Sequence, residues 1–409
     1  MQKALEILNS FINYEKIGTV PRDLDRFIEF LNSLGAPHRK LKNVIHIVGT
    51  KGKGSVAYHL SHALIKSGYR VGTFTSPHLM DVRERIMLDL KPISPDDFES
   101  FFFRVYERMS SPAKNFRTYF ETLTAMAILY FREMDVDFAI FEAGLGGRLD
   151  ATNVFPHPLT IITPIDYDHT HVLGNSLSEI AREKAWVMRP DGIAITAPQP
   201  PAAMEAIREI ALSRNVSLHV SECRPIETSI GGTSFIHDGK TYTTPAVGLF
   251  QGCNASLALS ALDLMGIGYG EDVFSGLEIP GRFHIHRWNG KTIVMDIAHN
   301  ALSIKMLMET MRKVFPGGEY AMLLSIVRDK DIEKITRFLS DKYVIATRSS
   351  SPRSASPHRI CRYLKNCVAV DSLDDALERI LHSEYEIVLI TGSTYLVGDV
   401  MEKMELMTW

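Results

Sequence analysis

Between Val48 and Val56 the chain reads Gly49-Thr50-Lys51-Gly52-Lys53-Gly54-Ser55, a composition suited to holding phosphate. Glycines turn the backbone tightly and let successive N–H groups face inward as an anion nest at a helix N-terminus. Lys53 stands where the lysine of a Walker loop reaches the β- and γ-phosphates. The next residue, however, is Gly54 rather than a Ser or Thr whose hydroxyl would meet Mg2+, and Ser55 comes one step late. The pattern predicts a nucleotide site whose metal takes its hydroxyl from elsewhere.

Two further clusters carry chemistry. Phe138-Ala139-Ile140-Phe141 reads as a buried strand ending in Glu142 and followed by Ala143-Gly144-Leu145-Gly146-Gly147-Arg148. A carboxylate at the C-terminal edge of a parallel strand lies where ligands bind in open α/β sheets, and it can hold Mg2+, a hard cation that prefers oxygen. After the apolar run Leu159–Ile165 come Asp166, Asp168, His169 and His171. Such a cluster can ligate a metal or orient phosphate, and it can equally cap a turn. Lys184 follows on a segment with helical spacing, where a lysine is ordinarily a solvated charge.

These residues need a scaffold. Val44–Val48 reads as a strand entering the loop. Beyond it Ala57, Leu60 and Leu64 share one helical face, and Gly68 marks a C-terminal stop. Apolar runs recur at Tyr69–Phe74, Val136–Phe141, Leu159–Ile165 and Ile193–Thr196 with helical segments between most of them, one opened by the capping box Ser176-x-x-Glu179. That alternation predicts a covered, mostly parallel sheet. Ser221–Thr244, rich in Gly, Thr and Ser, reads as a small antiparallel patch, and Leu257–Leu264 as a helix. Ile279-Pro280-Gly281 reads as a hinge. Strand runs then restart at Thr292–Ile297, Tyr320–Ile326, Tyr343–Thr347 and Glu386–Ile390. The expectation is an α/β protein of two domains. A P-loop domain, with a mostly parallel sheet and the antiparallel patch, spans residues 1–281. A smaller Rossmann-like α/β domain spans 282–409.

The totals narrow the function. A 409-residue chain with 45% hydrophobic and 23% charged residues suits a soluble globular protein. A net charge of −3 supplies no general attraction for nucleic acid or anionic lipid. No secretory leader or membrane-length apolar run is present, and Cys223, Cys253, Cys361 and Cys367 form no CxxC pair. A cytoplasmic enzyme with reduced cysteines is expected.

Taken in order, the motifs resemble the folylpolyglutamate synthase and dihydrofolate synthase family, relatives of the Mur peptidoglycan ligases. The resemblance runs from Ile12-Asn13-Tyr14-Glu15-Lys16 and the phosphate loop through Thr75-Ser76-Pro77-His78-Leu79, Glu84-Arg85-Ile86 and Thr118-Tyr119-Phe120-Glu121. It continues through Glu142 to Asp150-Ala-Thr-Asn153, then Asp168-His169, Leu173-Gly174 and Glu183-Lys184-Ala185. Later matches are Pro280-Gly281-Arg282, Asp296-Ile-Ala-His299-Asn300, Asp329-Lys330-Asp331 and Thr391-Gly392-Ser393-Thr-Tyr395-Leu-Val-Gly398.

The resemblance implies an ATP- and Mg2+-dependent ligase that joins L-glutamate to dihydropteroate or a reduced folate through an acyl phosphate. It implies a nucleotide site at Gly49, Thr50, Gly52, Lys53, Gly54 and Ser55, with Gln251, Asn254, Arg282 and Asp296. Two Mg2+ sites are implied, one on Ser76 and Glu142 and one on His169 and Glu142. Lys53, His169 and Lys184 are implied as catalytic, Lys184 as a carbamate; Phe120 and Asp150 would contact the pterin, and His299 and Ser393 the glutamate. Monomers are usual. Lys51, Phe250, Trp186 and Ile297 depart from the family's usual Asn, His, Gly and Gly, and bulk at the last two is expected to alter substrate fit. Two rivals stand beside this reading. A phosphate-transferring P-loop kinase or NTPase would place Ser or Thr directly after Lys53, and a noncatalytic relative need keep none of Lys53, Glu142, His169 and Lys184. A Mur-like ligase with a non-folate acceptor is the nearest alternative.

Overall fold

The strand β1 (Asn43–Val48) is buried at every residue after the first, the pattern of a central strand covered on both faces. Its side chains alternate between two cores. Ile45 and Ile47 join Ala57, Leu60 and Leu64 of the helix Lys53–Lys66 on one face, while Val44 joins Phe74, Phe131 and Phe141 on the other. The helix ends as its sequence predicts, with Gly68 at φ +89° donating to the Ile65 carbonyl. In the computed structural model, residues 1–13, 23–109 and 118–406 are described. Tyr14, Glu15 and Lys16 of the first motif lie outside them.

β1 lies inside an eight-stranded sheet. Its other strands are β2 (Val71–Phe74), β3 (Ile86–Leu88), β4 (Lys91–Pro92), β5 (Phe138–Glu142), β6 (Leu159–Ile162), β7 (Ile193–Thr196) and β8 (Ser217–Val220). Their order is β4-β3-β2-β5-β1-β6-β7-β8. Every pairing from β2 to β8 is parallel, and only the β2–β3 and β3–β4 pairings are antiparallel. The helices Pro95–Arg108 and Tyr119–Glu133 cover one face. Gly72 on β2 permits that cover, since a Cβ there would fall 2.5 Å from the Phe131 ring.

The Gly-, Thr- and Ser-rich stretch forms a three-stranded antiparallel sheet of β9 (Arg224–Ser229), β10 (Gly232–His237) and β11 (Lys240–Thr244). It rests on the helix Leu249–Leu264, which also packs against Lys53–Lys66. A second α/β sheet follows, built from β12 (His284–Trp288), β13 (Lys291–Met295), β14 (Tyr320–Leu324), β15 (Tyr343–Ala346), β16 (Cys367–Ala369) and β17 (Ile387–Thr391). Its order is β12-β13-β17-β14-β15-β16, parallel except for the edge strand β12. The two large sheets touch through residues after β2: Leu79 and Met80 pack against the second sheet's core, and a Cβ on Gly398 would fall 2.1 Å from the Leu79 carbonyl oxygen.

The cysteines correct an expectation. Cys223 pairs with Cys253 and Cys361 with Cys367 as disulfides, where free thiols were expected. The first pair is 30 residues apart in sequence, so only the packing of the chain before β9 onto the helix Leu249–Leu264 brings it together. Among the described residues no helix is long and apolar enough to cross a membrane.

Candidate functional site

Parallel strands deliver their following loops to one edge, so the sheet order decides which loops meet. In the first sheet β2, β5, β1 and β6 are neighbours. Their C-terminal ends carry, in turn, Ser76, Glu142, the loop Gly49–Ser55, and the segment that holds Asp166, Asp168 and His169. In the second sheet β13, β17 and β14 are neighbours, and their ends carry Asp296 and His299, then Gly392 and Ser393, then Arg328 and Lys330. Both sets of ends face one cavity of about 1650 Å³.

The phosphate loop is held from behind. Thr50 and Lys51 both donate their N–H groups to the Pro164 carbonyl at 3.0 and 3.1 Å, and the Thr50 hydroxyl meets the Asp166 carbonyl at 3.1 Å. The anion nest is therefore narrower than the glycine pattern alone suggests, and its available donors begin at the start of the helix Lys53–Lys66. Gly52, at φ +81°, caps that helix, and a Cβ there would collide with Asn254 Oδ1 at 2.5 Å. Asn254 thus rests on the loop and donates to Gln251 Oε1 at 2.9 Å, and the buried Gln251 Nε2 has no hydrogen-bond partner among the described residues.

Glu142 is the centre of the acidic side. One carboxylate oxygen accepts the Ser76 N–H at 3.0 Å, and the other stands 3.9 Å from Lys53 Nζ. Burial pushes its carboxyl above the usual range, while Lys53, the Ser76 N–H, Arg282 and Arg85 pull it back. Gly54 faces this carboxylate, with an added Cβ falling 3.4 Å from Glu142 Oε2. The place where a Walker loop carries its hydroxyl is instead bordered by the Glu142 carboxylate and the Arg282 guanidinium, and Ser76 brings a hydroxyl-bearing residue to the same carboxylate. His169 lines the same cavity, but its nearest acid is Asp168 at 3.8 Å. Among the described residues no three His, Cys, Asp or Glu side chains gather to hold a metal.

Lys184 is buried behind the loop rather than lining the cavity, and its Nζ donates to the Gly49 carbonyl at 2.8 Å. Burial, helped by Lys53, pushes its amine down to about 7 against the pull of Asp168, Asp150 and Glu183. Trp186 corrects an expectation: it points outward, 40% exposed, with the Arg214 guanidinium 4.2 Å from its ring centroid. Ile297 does reach the cavity, packed at Gly281.

One arm of the cavity is apolar and aromatic, with Tyr119, Phe120, Leu145, Leu149 and Ala151 among its lining residues. Phe120 lies over Gly144, where a Cβ would fall 2.7 Å from the ring. Asp150 lines this arm while accepting the Leu145 N–H at 2.9 Å and the Thr152 N–H at 3.0 Å. Five cations, Lys51, Arg282, Arg328, Lys330 and Arg353, also line the cavity. Burial pushes the Lys51 amine down, with Lys330 and Lys53 adding and Asp168 and Asp166 opposing. Arg328 and Arg353 are absent from the sequence reading; their only signal is position, just past the end of β14 and in the loop beyond β15. Asp296 accepts the N–H groups of Phe283 and Ala298, both at 2.8 Å, so its carboxylate ties Arg282's segment to the His299 loop. Burial, with Lys330 and Lys51 adding, pushes His299 down to about 4, so its imidazole is neutral near pH 7. Ser393 caps the helix Thr394–Lys403 through Tyr395 N at 3.2 Å.

This arrangement, phosphate loop and acidic strand end facing a second α/β sheet, matches known proteins over the whole chain. Residues 281–394 match the family model described as Mur ligase, glutamate ligase domain. A Bacillus subtilis dihydrofolate synthase/folylpolyglutamate synthase is 33% identical, the match covering 95% of this chain and 96% of that one. A Mycobacterium tuberculosis folylpolyglutamate synthase complexed with ADP superposes with a TM-score of 0.88 at 28% identity, covering 98% of this chain and 97% of that one. A Yersinia pestis bifunctional folylpolyglutamate synthase/dihydrofolate synthase complexed with AMPPNP and Mn ion does so at 0.85 and 26% identity, covering 99% and 98%. Similarity this extensive in both sequence and fold settles the kinship: the chain belongs to the dihydrofolate synthase/folylpolyglutamate synthase family.

Proposed function

We propose that this chain is an ATP- and Mg2+-dependent ligase that joins L-glutamate to a folate-type carboxylate through an acyl phosphate. One observation carries the reading. The C-terminal strand ends of two sheets share a single cavity, with the phosphate loop and Glu142 contributed by the first sheet and a cationic wall bearing His299, Arg328 and Lys330 by the second. The aromatic arm beside Phe120 suits a flat pterin, which stacks on apolar and aromatic side chains. The cationic wall suits the carboxylates of glutamate. The relatives' ADP, AMPPNP and Mn ion support nucleotide and divalent metal here.

The residues present fit Mg2+. Glu142 is a desolvated carboxylate, the Ser76 residue that donates to it carries a hydroxyl, and Gly54 leaves room beside them. Mg2+ keeps waters and shares phosphate oxygens, so few protein ligands suffice. Bound there, it would neutralise charge on the phosphates during transfer. Lys53 and the helix N–H groups orient the nucleotide's terminal phosphates, which the acceptor carboxylate attacks to become an acyl phosphate with ADP leaving. The glutamate amine, as its free base, then attacks that carbonyl, phosphate leaves and the new amide nitrogen gives up a proton.

Lys184 is proposed to be carbamylated. Carbamylation needs a neutral amine, and an amine lowered to about 7 supplies one at physiological pH. The division of the chain at Arg282 into a nucleotide domain and a glutamate domain belongs to the same proposal. The test is glutamate-dependent release of ADP and phosphate, with dihydropteroate and tetrahydrofolate compared as acceptors. Turnover with one or both is expected. Absence of turnover with either removes the folate reading, and ADP release without glutamate favours a phosphotransferase.

A further inference from the structure

Asp150 has a second set of partners that reaches β1. Its Oδ1 accepts the Thr152 hydroxyl at 2.6 Å, and Thr152 Oγ1 in turn stands 2.7 Å from His46 Nε2. All three side chains are buried, His46 and Thr152 completely. The proton positions follow from chemistry. A carboxylate only accepts, so the Thr152 hydroxyl hydrogen is committed to Asp150, and the imidazole must donate from Nε2 to the threonine oxygen. His46 Nδ1 is then a bare acceptor, and it has no hydrogen-bond partner among the described residues. Burial, with Arg189's charge adding, pushes the imidazole down to about 3, so the ring stays neutral at any working pH.

We propose that His46 and Thr152 are positioning residues for the acceptor: they hold the Asp150 carboxylate, and with it the loop from Gly144 to Thr152, against the strand that carries the phosphate loop. This inference rests on the folate reading above and deepens it. His46 lies on β1 two residues before Val48, so the network links the acceptor arm to the element that fixes Gly49. The loop is braced at its other end too. Arg148 N–H donates to the Glu183 carbonyl at 3.0 Å, and a Cβ on Gly147 would fall 3.0 Å from Lys184 Cα. A shift of Asp150 would therefore move the acceptor relative to a phosphate loop that itself stays anchored at Pro164.

Thr152→Val keeps the side chain's shape and removes the hydroxyl, leaving the His46 donor unsatisfied and Asp150 one bond short. It should raise KM for the pteroate or folate acceptor about tenfold, the loss of one charge-assisted hydrogen bond, and lower kcat with that acceptor, while KM for ATP stays within about twofold. Thr152→Ser should restore the acceptor KM. His46→Gln, whose amide can donate from a similar position, should lie nearer the wild type than His46→Leu. An unchanged acceptor KM in Thr152→Val overturns the proposal. So does a parallel rise in both KM values with a lowered Tm, which is general loosening. Nitrogen-15 spectra of the histidine rings separate this from the functional reading: His46 should be protonated at Nε2 alone whether or not either acceptor is turned over. Protonation at Nδ1 rules the network out.

Discussion

The buried Lys184 amine makes a prediction that needs no substrate. Its ordinary value of 10.5 is lowered to about 7 in the folded protein, chiefly by burial. Between those values the unfolded chain binds more protons than the folded one, so stability must climb with pH across that window. The cost of hosting the ammonium is fully present below about 7 and gone above about 10.5. A shift of about 3.5 units corresponds to about 5 kcal/mol in total. Integrated from about pH 7 to about pH 9, the recovered part is about 2 kcal/mol. Lys184→Met removes the titrating group and keeps an apolar stem of similar length. Urea unfolding of both proteins in CO2-depleted buffer at the two pH values should give a difference in ΔG that changes by about 2 kcal/mol, the variant losing its advantage as pH rises. Equal pH slopes would refute the claim that Lys184 is a desolvated amine, and with it the physical basis for a carbamate. Bicarbonate added to the wild type should then raise its midpoint at the higher pH, because a modification confined to the folded state stabilises it; Lys184→Met should not respond.

Three other substitutions test separate parts of the site. Lys53→Met should lower kcat at least about 100-fold while the protein keeps its unfolding midpoint, as expected for a charge aimed at transferring phosphate; a loss under tenfold would argue against that role. Glu142→Gln should raise the Mg2+ concentration for half-maximal rate at least about tenfold, read from rate against free Mg2+; an unaltered requirement would place the metal elsewhere. Gly398→Ala puts a methyl group 2.1 Å from the Leu79 carbonyl oxygen, so it should cost about 1–3 kcal/mol by urea unfolding. Wild-type stability there would mean that the contact between the two sheets yields freely.

Much of the scaffold was legible because the relevant signals are local. The strand Ile193–Thr196 matches its apolar run, the capping box Ser176-x-x-Glu179 forms, and Gly68 stops its helix. The strands that escaped notice lie at sheet edges or carry polar faces. β8 is mostly exposed, and β12 contains two histidines and an arginine in five residues. Their pairing comes from a neighbour's free backbone, which no periodicity reports. The disulfides and the outward turn of Trp186 are tertiary facts of the same kind. At the site, the residue types were legible and their partners were not. Asp150 and Asp296 read as ligand contacts, yet each also holds two backbone N–H groups in place. Spacing alone left Lys184 a solvated charge and the resemblance made it catalytic, but its burial against Gly49 is seen only in the fold.

The missing hydroxyl after Lys53 then acquires a physical reading. In a Walker site the loop itself contributes one hydroxyl to the metal's surroundings. Here the position is given to Gly54, whose bare Cα leaves Glu142 and Arg282 both within 4.0 Å of where a side chain would begin. Arg282 arrives from the junction with the second sheet, and Leu79, three residues after Ser76, packs against that sheet's core. A side chain at position 54 would occupy the space where those elements converge. Under the proposed Mg2+ placement, the glycine exchanges a ligand supplied by the loop for access to groups tied to the other sheet. In that arrangement the nucleotide's surroundings depend on how the two sheets are docked, which is the coupling a ligase needs if phosphate transfer is to wait for the second half of its site.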